Sequence, residues 1–106
     1  GQAAIDNMAR VSLELGGKSP VIVLDDADPK VAASGAANAI FFNSGQVCVA
    51  GSRLYVQRKV YDAVLDGVSA IAGKMRIGPG LEKGTQLGPL VSERQLQRVA
   101  GRQPAA

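Results

Sequence analysis

Residues 20–30 read PVIVLDDADPK, an unbroken apolar run that is closed by two aspartates and followed by an Asp-Pro pair. An apolar run of this length is typical of a strand covered on both faces, as in a parallel sheet. Asp28 and Pro29 form a strong helix start, because aspartate can cap the first free N–H groups and proline fits the first helical position. The stretch predicts a strand over 20–24 and a helix over about 29–42.

The alternation of strand and helix continues along the chain. Residues 54–57, LYVQ, indicate a second strand. Apolar residues then recur at three- and four-residue steps from Tyr61 to Met75, which is the period of an amphipathic helix. The sequence also predicts a helix that starts at Ser92, because Gln95 completes a capping box with it. This order predicts an α/β fold with parallel strands.

Composition and charge exclude several classes of protein. With 106 residues, 46% hydrophobic and 4% aromatic, the chain can form one domain at most, with a modest core. The net charge is +3, but the basic residues are scattered, whereas a nucleic-acid-binding protein normally shows a dense basic stripe. No segment reaches the roughly 20 apolar residues that a bilayer span needs. We therefore expect no nucleic-acid partner and no membrane span.

The chain contains one cysteine, Cys48, and no histidine. A single cysteine permits no internal disulfide, which fits a reducing compartment and predicts a cytoplasmic protein. The lack of histidine excludes Cys-His and Ser-His catalysis within these residues. A cysteine nucleophile here would need a carboxylate or the backbone to assist it.

The surroundings of Cys48 favour such a role. The stretch NSGQVC, residues 43–48, places the thiol just beyond a predicted helix end in a glycine turn. Backbone N–H groups in such a turn can face the thiol and any oxyanion formed on its substrate, and fixed donors of this kind favour thiolate and developing negative charge. The alternative is a buried structural cysteine that behaves as a small hydrophobic residue.

Glu14 is the candidate base, 34 residues before Cys48 in the stretch LELGG, residues 13–17. Residues 11–15 are predicted to be extended, and alternation along a strand would turn Glu14 outward and its flanking leucines inward. The adjoining Gly16 and Gly17 allow the other interpretation, because bare backbone leaves room for a ligand to approach closely. A carboxylate that faces a shielded cleft can serve as a general base.

Two other candidate sites have simpler explanations. The aspartates at 25, 26 and 28 are accounted for by a strand end and a helix cap, so we predict no metal site. Residues 78–88 are rich in glycine, but no Gly-Lys-Ser/Thr sequence follows, so a surface loop is expected and not a Walker-type phosphate site.

Taken together, LELGGKSP at residues 13–20 and FNSGQVC at 42–48 closely resemble the two active-site signatures of the aldehyde dehydrogenase superfamily. The spacing between glutamate and cysteine is also the family's, and GSRLYV at 51–56 and GPLVS at 88–92 resemble further family segments. The resemblance runs from about residue 10 to residue 100, and the stretch 102–106 departs from it.

The resemblance implies that residues 1–106 are part of the family's α/β catalytic domain, with a mostly parallel sheet and flanking helices. The cofactor-binding domain and the C-terminal oligomerisation segment are expected to be absent from these residues. For this reason we expect the 106 residues alone to be inactive. The parent protein is expected to act on a small aldehyde as a homodimer or homotetramer.

The resemblance also implies a role for each site residue. The Cys48 thiolate would attack an aldehyde carbonyl, with its own N–H in the oxyanion hole, and hydride would pass to NAD or NADP. Glu14 would then activate water to hydrolyse the resulting thioester. The carbonyl of Leu15, beside Gly16, would contact the nicotinamide amide, and Gln95 would contact a cofactor ribose.

Two alternatives stay open at this point. One alternative is a non-catalytic remnant that acts only by associating with a full-length relative, since exposed sheet edges favour such pairing. The other alternative keeps the family but passes the acyl group to coenzyme A. Glu14 argues against coenzyme A, because a water-activating base is then unnecessary.

Overall fold

Two parallel strands form the sheet of this chain. In the computed structural model, which describes residues 1–102, β1 (Pro20–Val23) pairs with β2 (Arg53–Val56), with Ile22 opposite Tyr55. The helices are α1 (Gln2–Asp6), α2 (Pro29–Phe41), α3 (Tyr61–Ala72) and α4 (Glu93–Ala100), and short 3-10 turns lie at Phe42–Gly45 and Arg58–Val60. The predicted α/β fold with parallel strands and flanking helices is confirmed.

Helix α2 connects the two strands and begins where the sequence predicts. The Asp28 carboxylate accepts hydrogen bonds from the backbone N–H groups of Lys30 at 2.8 Å and Val31 at 3.1 Å. These bonds satisfy two of the N–H groups that a helix start leaves free. The helix ends at Phe41, and the chain then enters the turn that leads to Cys48.

A small core lies between the sheet and helices α2 and α3. Val23, Val60 and Val64 are buried together, and α2 contributes three buried alanines, Ala33, Ala36 and Ala37. Small side chains allow two helices to approach closely but bury little apolar area each. The core is accordingly modest, and the radius of gyration of 17.7 Å exceeds the roughly 13 Å of a compact domain of this length.

The prediction that the first strand is covered on both faces is wrong for these residues. Val23 is buried, but Ile22 is 67% exposed and its cross-strand neighbour Tyr55 is 53% exposed. Side chains alternate between the two faces of a strand. Within residues 1–102, α2 and α3 cover the face that carries Val23 and leave the other open.

The predicted extended segment over 11–15 is also not a strand. No helix or strand is assigned between α1 and β1. Leu13 and Leu15 do not turn inward, since they are 68% and 72% exposed. No strand of the described residues pairs with this segment, so there is no covered sheet face towards which Leu13 and Leu15 could turn.

The glycine-rich loop between α3 and α4 lies on the surface, as predicted. Ile77 and Leu87 form a parallel bridge across its base, and Arg76 is hydrogen-bonded to Glu82 within it. The predicted departure from the family pattern at 102–106 falls almost wholly outside the described residues. No helix of residues 1–102 is both long enough and apolar enough to cross a membrane.

Candidate active site

Cys48 follows a tight turn at the end of α2. Asn43, Ser44 and Gly45 all have positive φ, at 49°, 56° and 72°. The turn is closed in both directions, because the Gln46 N–H donates to the Asn43 carbonyl at 3.1 Å and the Asn43 side-chain amide donates to the Gln46 carbonyl at 3.2 Å. Asparagine and glycine tolerate the left-handed region better than other residues. The predicted turn before the cysteine is therefore confirmed.

The thiol lies in a second turn and is accessible. The Ala50 N–H donates to the Val47 carbonyl at 3.1 Å, which makes Cys48 the first central residue of a four-residue turn. Cys48 is free and exposed, so the interpretation as a buried structural cysteine is wrong. Within residues 1–102, the N–H groups of Cys48 and Val49 donate to no protein acceptor. Both donors are therefore unused within the described residues.

Gly51 anchors the end of this turn. Its N–H donates to the carbonyl of Ala39 on α2 at 2.9 Å. A Cβ at this position would lie 2.5 Å from Val21 Cγ2 on β1 and 3.0 Å from Ala39 Cβ. Only a residue without a side chain lets the chain pass between strand and helix here.

Two side-chain hydrogen bonds connect the cysteine turn to the segment before α4. Ser44 Oγ donates to the Gly88 carbonyl at 3.1 Å, and Gln46 Oε1 accepts from the Val91 N–H at 2.8 Å. Sequence reasoning did not single out Ser44 or Gln46 for this role. The sequence signals were the resemblance of residues 42–48 and 88–92 to family segments, and neither indicates which groups bond to each other.

The segment that carries Glu14 reaches the cysteine turn through Gly17. A Cβ on Gly17 would lie 3.4 Å from the backbone carbonyl oxygen of Cys48. Glu14, Leu15 and Gly16 are all exposed, and nothing lies within 4 Å of a Cβ built on Gly16. In the described part of the chain the Glu14 carboxylate forms no salt bridge and no hydrogen bond. The structure thus brings the two segments together and leaves the carboxylate accessible.

Gln95 lies in the first turn of α4. Its N–H donates to the Ser92 hydroxyl at 3.2 Å and to the Ser92 carbonyl at 3.0 Å, which confirms Ser92 as the N-cap. Its half-buried side chain forms no hydrogen bond among residues 1–102, so only one half of the predicted capping box is present. Gln95 is connected to the cysteine turn indirectly, through Val91 and Gln46.

The described residues contain no cluster of three or more histidine, cysteine, aspartate or glutamate side chains that could hold a metal ion. The chemistry that these residues offer is therefore that of an accessible thiol, free backbone donors beside it, and a carboxylate on a neighbouring segment.

Comparison with known proteins gives consistent results. A family model described as "Aldehyde dehydrogenase family" matches residues 1–105, which extends the resemblance at both ends. The chain is 54% identical over 99 residues to phenylacetaldehyde dehydrogenase of Pseudomonas fluorescens, covering 93% of this chain and 20% of that protein.

Solved structures agree with the sequence comparison. An NAD+ complex of an aldehyde dehydrogenase from Bacillus cereus is 46% identical, with a TM-score of 0.82 over 94% of this chain and 20% of that one. An NADP-dependent enzyme from E. coli is 42% identical, with a TM-score of 0.86 over 94% of this chain and 21% of that one. The chain spans about a fifth of the length of the relatives it matches.

Proposed function

Since the chain belongs to the aldehyde dehydrogenase family, we propose that it supplies the nucleophile Cys48 and the base Glu14 to the catalytic domain of an NAD(P)-dependent aldehyde dehydrogenase. The reaction is the oxidation of a small aldehyde to a carboxylic acid. The observation that carries the proposal is the packing of Gly17 against the carbonyl of Cys48, which joins the two signature segments at one place.

Cys48 acts first, as a thiolate. Its sulfur adds to the aldehyde carbonyl carbon and forms a thiohemiacetal, and negative charge develops on the carbonyl oxygen. The N–H of Cys48 is free of protein acceptors within the described residues, so it can donate to that oxygen. Fixed donors aimed at developing charge are among the largest contributions to catalysis, and one oxyanion donor is worth about 100- to 1000-fold in turnover.

The backbone beside Glu14 fits a nicotinamide cofactor. Gly16 has open space where a side chain would stand, and the Leu15 carbonyl accepts no hydrogen bond from the described residues. We assign Leu15 and Gly16 to the nicotinamide amide and Gln95 to a ribose. A bound NAD or NADP would supply the hydride acceptor at this place, which is what the conversion of the Cys48 thiohemiacetal to a thioester needs. The cofactors named for the Bacillus cereus and E. coli relatives support this class of cofactor.

Glu14 acts last, as the general base for hydrolysis. Its carboxylate takes a proton from water, the water oxygen adds to the thioester carbonyl, and the carbon–sulfur bond breaks to release the acid and the Cys48 thiolate. Glu14 lies three positions before Gly17, and three steps along the chain span at most about 11 Å. The contact between Gly17 and Cys48 therefore supports Glu14 as a group within reach of the thioester.

We extend the proposal to the whole protein. It assembles as a homodimer or homotetramer and works in the cytoplasm, and the single cysteine among these 106 residues supports a reducing compartment.

Trapping of the acyl-enzyme tests the proposal in the full-length protein that carries these residues. Glu14→Gln should give a burst of NAD(P)H and accumulate a thioester, which intact-mass spectrometry detects as an acyl adduct on the Cys48 peptide. Cys48→Ser should give neither burst nor adduct. Glu93→Gln is the matched control, because Glu93 is an exposed glutamate on α4 whose carboxylate accepts from Gln97, and it should turn over like the unmodified enzyme.

Other outcomes would contradict the proposal. Full turnover by Cys48→Ser would remove Cys48 as the nucleophile. A wild-type thioester that persists in water and is discharged only by coenzyme A would make the enzyme an acylating dehydrogenase and not a hydrolytic one.

A further inference from the structure

Gln46 connects the turn that carries Cys48 to the segment that leads into α4. Its side-chain oxygen accepts from the Val91 N–H at 2.8 Å, across 45 positions of sequence. Its own N–H donates to the Asn43 carbonyl, and its own carbonyl accepts from the Asn43 side chain. Three polar groups of one residue are thus engaged two positions before the thiol.

The residues around the thiol have few fixed contacts of their own. The turn is closed by the bond from the Ala50 N–H to the Val47 carbonyl, and within residues 1–102 the N–H and thiol of Cys48 make no hydrogen bond. Downstream, Gly51 is fixed by its bond to α2. The position of the thiol is therefore set from either side, by Gly51 after it and by Gln46 before it.

The partner of Gln46 lies at the start of α4. Val91 directly precedes Ser92, the N-cap whose hydroxyl accepts from the Gln95 N–H. The bond from Ser44 to the Gly88 carbonyl is a second connection to the same segment. Two side-chain hydrogen bonds thus join the cysteine turn to the beginning of the helix that carries Gln95.

We propose that Gln46 is a positioning residue of the dehydrogenase, whose side-chain oxygen fixes the spacing between the Cys48 thiol and the first turn of α4. This inference rests on the proposed function, since α4 matters to catalysis only if Gln95 contacts the cofactor. Gln46 touches no reacting atom and acts through the backbone that it holds. Misplacement of a reacting group by about 1 Å can cost about 100-fold in rate.

Gln86 provides a matched control for Gln46. Its side-chain oxygen also accepts a backbone N–H, that of Arg76 at 3.0 Å, but this bond lies within the glycine-rich surface loop and does not join the cysteine turn to the start of α4. Gln46→Leu and Gln86→Leu therefore remove the same kind of hydrogen bond from two places. Gln46→Glu retains a side-chain oxygen that can accept from Val91.

The experiment measures kcat and KM for aldehyde and cofactor in the full-length enzyme, with the thermal unfolding midpoint of each variant. Gln46→Leu should lower kcat by about 10- to 100-fold while KM for the aldehyde stays within about threefold. Gln46→Glu should recover most of the lost kcat. Gln86→Leu should keep kcat within about twofold, because its hydrogen bond contributes to stability alone.

Two results would overturn the inference: equal kcat values for Gln46→Leu and Gln86→Leu, or an equal loss in Gln46→Leu and Gln46→Glu. If Gln46→Leu does not fold, Gln46→Ala decides by the same criterion, since it also removes the oxygen that accepts from the Val91 N–H. Cys48→Ser is assayed in parallel. An active Cys48→Ser enzyme would refute the proposed function, whereas an inactive one with a normal Gln46→Leu would refute the role of Gln46 alone.

Discussion

The backbone of Gly17 lies against the carbonyl oxygen of Cys48, so that a methyl group added to Gly17 would stand 3.4 Å from that oxygen. This contact joins the segment that contains Glu14 to the turn that contains the thiol. It requires a small residue at position 17, because the approach is between two main chains. Gly16 differs, since open space surrounds it. The two adjacent glycines therefore differ: Gly17 packs against Cys48, whereas Gly16 has the open space that the proposed cofactor contact needs.

Substitutions of increasing size at Gly17 should reveal this packing. Gly17→Ala places its methyl group at an ordinary contact distance from the Cys48 carbonyl, so kcat should stay within about threefold. Gly17→Val adds two further methyl groups that must push the segments apart, and kcat should fall by about tenfold or more. Steady-state kinetics with a simple aldehyde measures both.

Gly80→Val is the control for the Gly17 series, because Gly80 lies in the surface loop with nothing within 4 Å of its Cβ position. It should leave kcat unchanged. Equal activity of Gly17→Val and Gly80→Val would show that the contact between Gly17 and Cys48 has no bearing on catalysis.

The two glycines inside helices α2 and α3 should respond to alanine with opposite sign. A Cβ on Gly35 meets nothing within 4 Å, so Gly35→Ala should raise the free energy of unfolding by about 0.5–1 kcal/mol through helix propensity and reduced freedom of the unfolded chain. A Cβ on Gly67 would lie 2.6 Å from Ala33 Cβ. Overpacking there should cost about 1–3 kcal/mol and outweigh the propensity gain.

Thermal or urea unfolding of the two helix variants measures the sign of each change in the free energy of unfolding. Each carries the same substitution in a helix interior, so each is the control for the other. Stabilisation by Gly67→Ala would mean that α2 and α3 can separate without cost, and that the buried alanines of α2 do not hold the core together.

Local sequence signals predicted much of this fold. Asp28 and Ser92 were identified as helix caps because a cap depends on groups within three residues of it. The turn at Asn43–Gly45 was likewise predicted from residues that tolerate its backbone. The strand over 20–24 was predicted from its apolar run. Which of its faces is buried was not predicted correctly, because this depends on which helices pack on the strand.

The contacts that build the candidate site could not be predicted in the same way. Ser44 bonds to Gly88 and Gln46 to Val91 across 44 and 45 residues, and a polar side chain in a turn gives no indication of so distant a partner. Gly17 was noted for the room that it leaves a ligand, whereas the structure packs it against Cys48. Such contacts arise only when separate segments are brought together by the fold.

The accessibility of Cys48 predicts its reactivity in the folded protein. Because the thiol is free and exposed, iodoacetamide should alkylate Cys48 at neutral pH without denaturant. Reactive cysteines of this kind are partly exposed, whereas structural buried cysteines are inert. Peptide mapping by mass spectrometry measures the rate at Cys48 directly. Alkylation of Cys48 only after unfolding, at the rate of a cysteine in the denatured chain, would contradict the exposed turn.

Gly51 passes closely between β1 and α2, so a side chain added there should lower stability and kcat, and a smaller neighbouring residue should partly restore both. Gly51→Ala places a methyl group 2.5 Å from Val21 Cγ2 and 3.0 Å from Ala39 Cβ, so strand and helix must move or the turn that ends there must shift. We expect a loss of about 1–3 kcal/mol in the free energy of unfolding and a fall in kcat, because the same turn carries Cys48.

Val21→Ala removes the nearer of the two contacting groups, and the double variant should recover part of the loss in stability and part of the loss in kcat. A double-mutant cycle on stability and kcat measures the coupling, since residues in contact couple by about 0.5–3 kcal/mol. Strict additivity of the two substitutions would mean that Val21 does not confine Gly51, and the anchor of the cysteine turn would then have to lie in the bond to Ala39 alone.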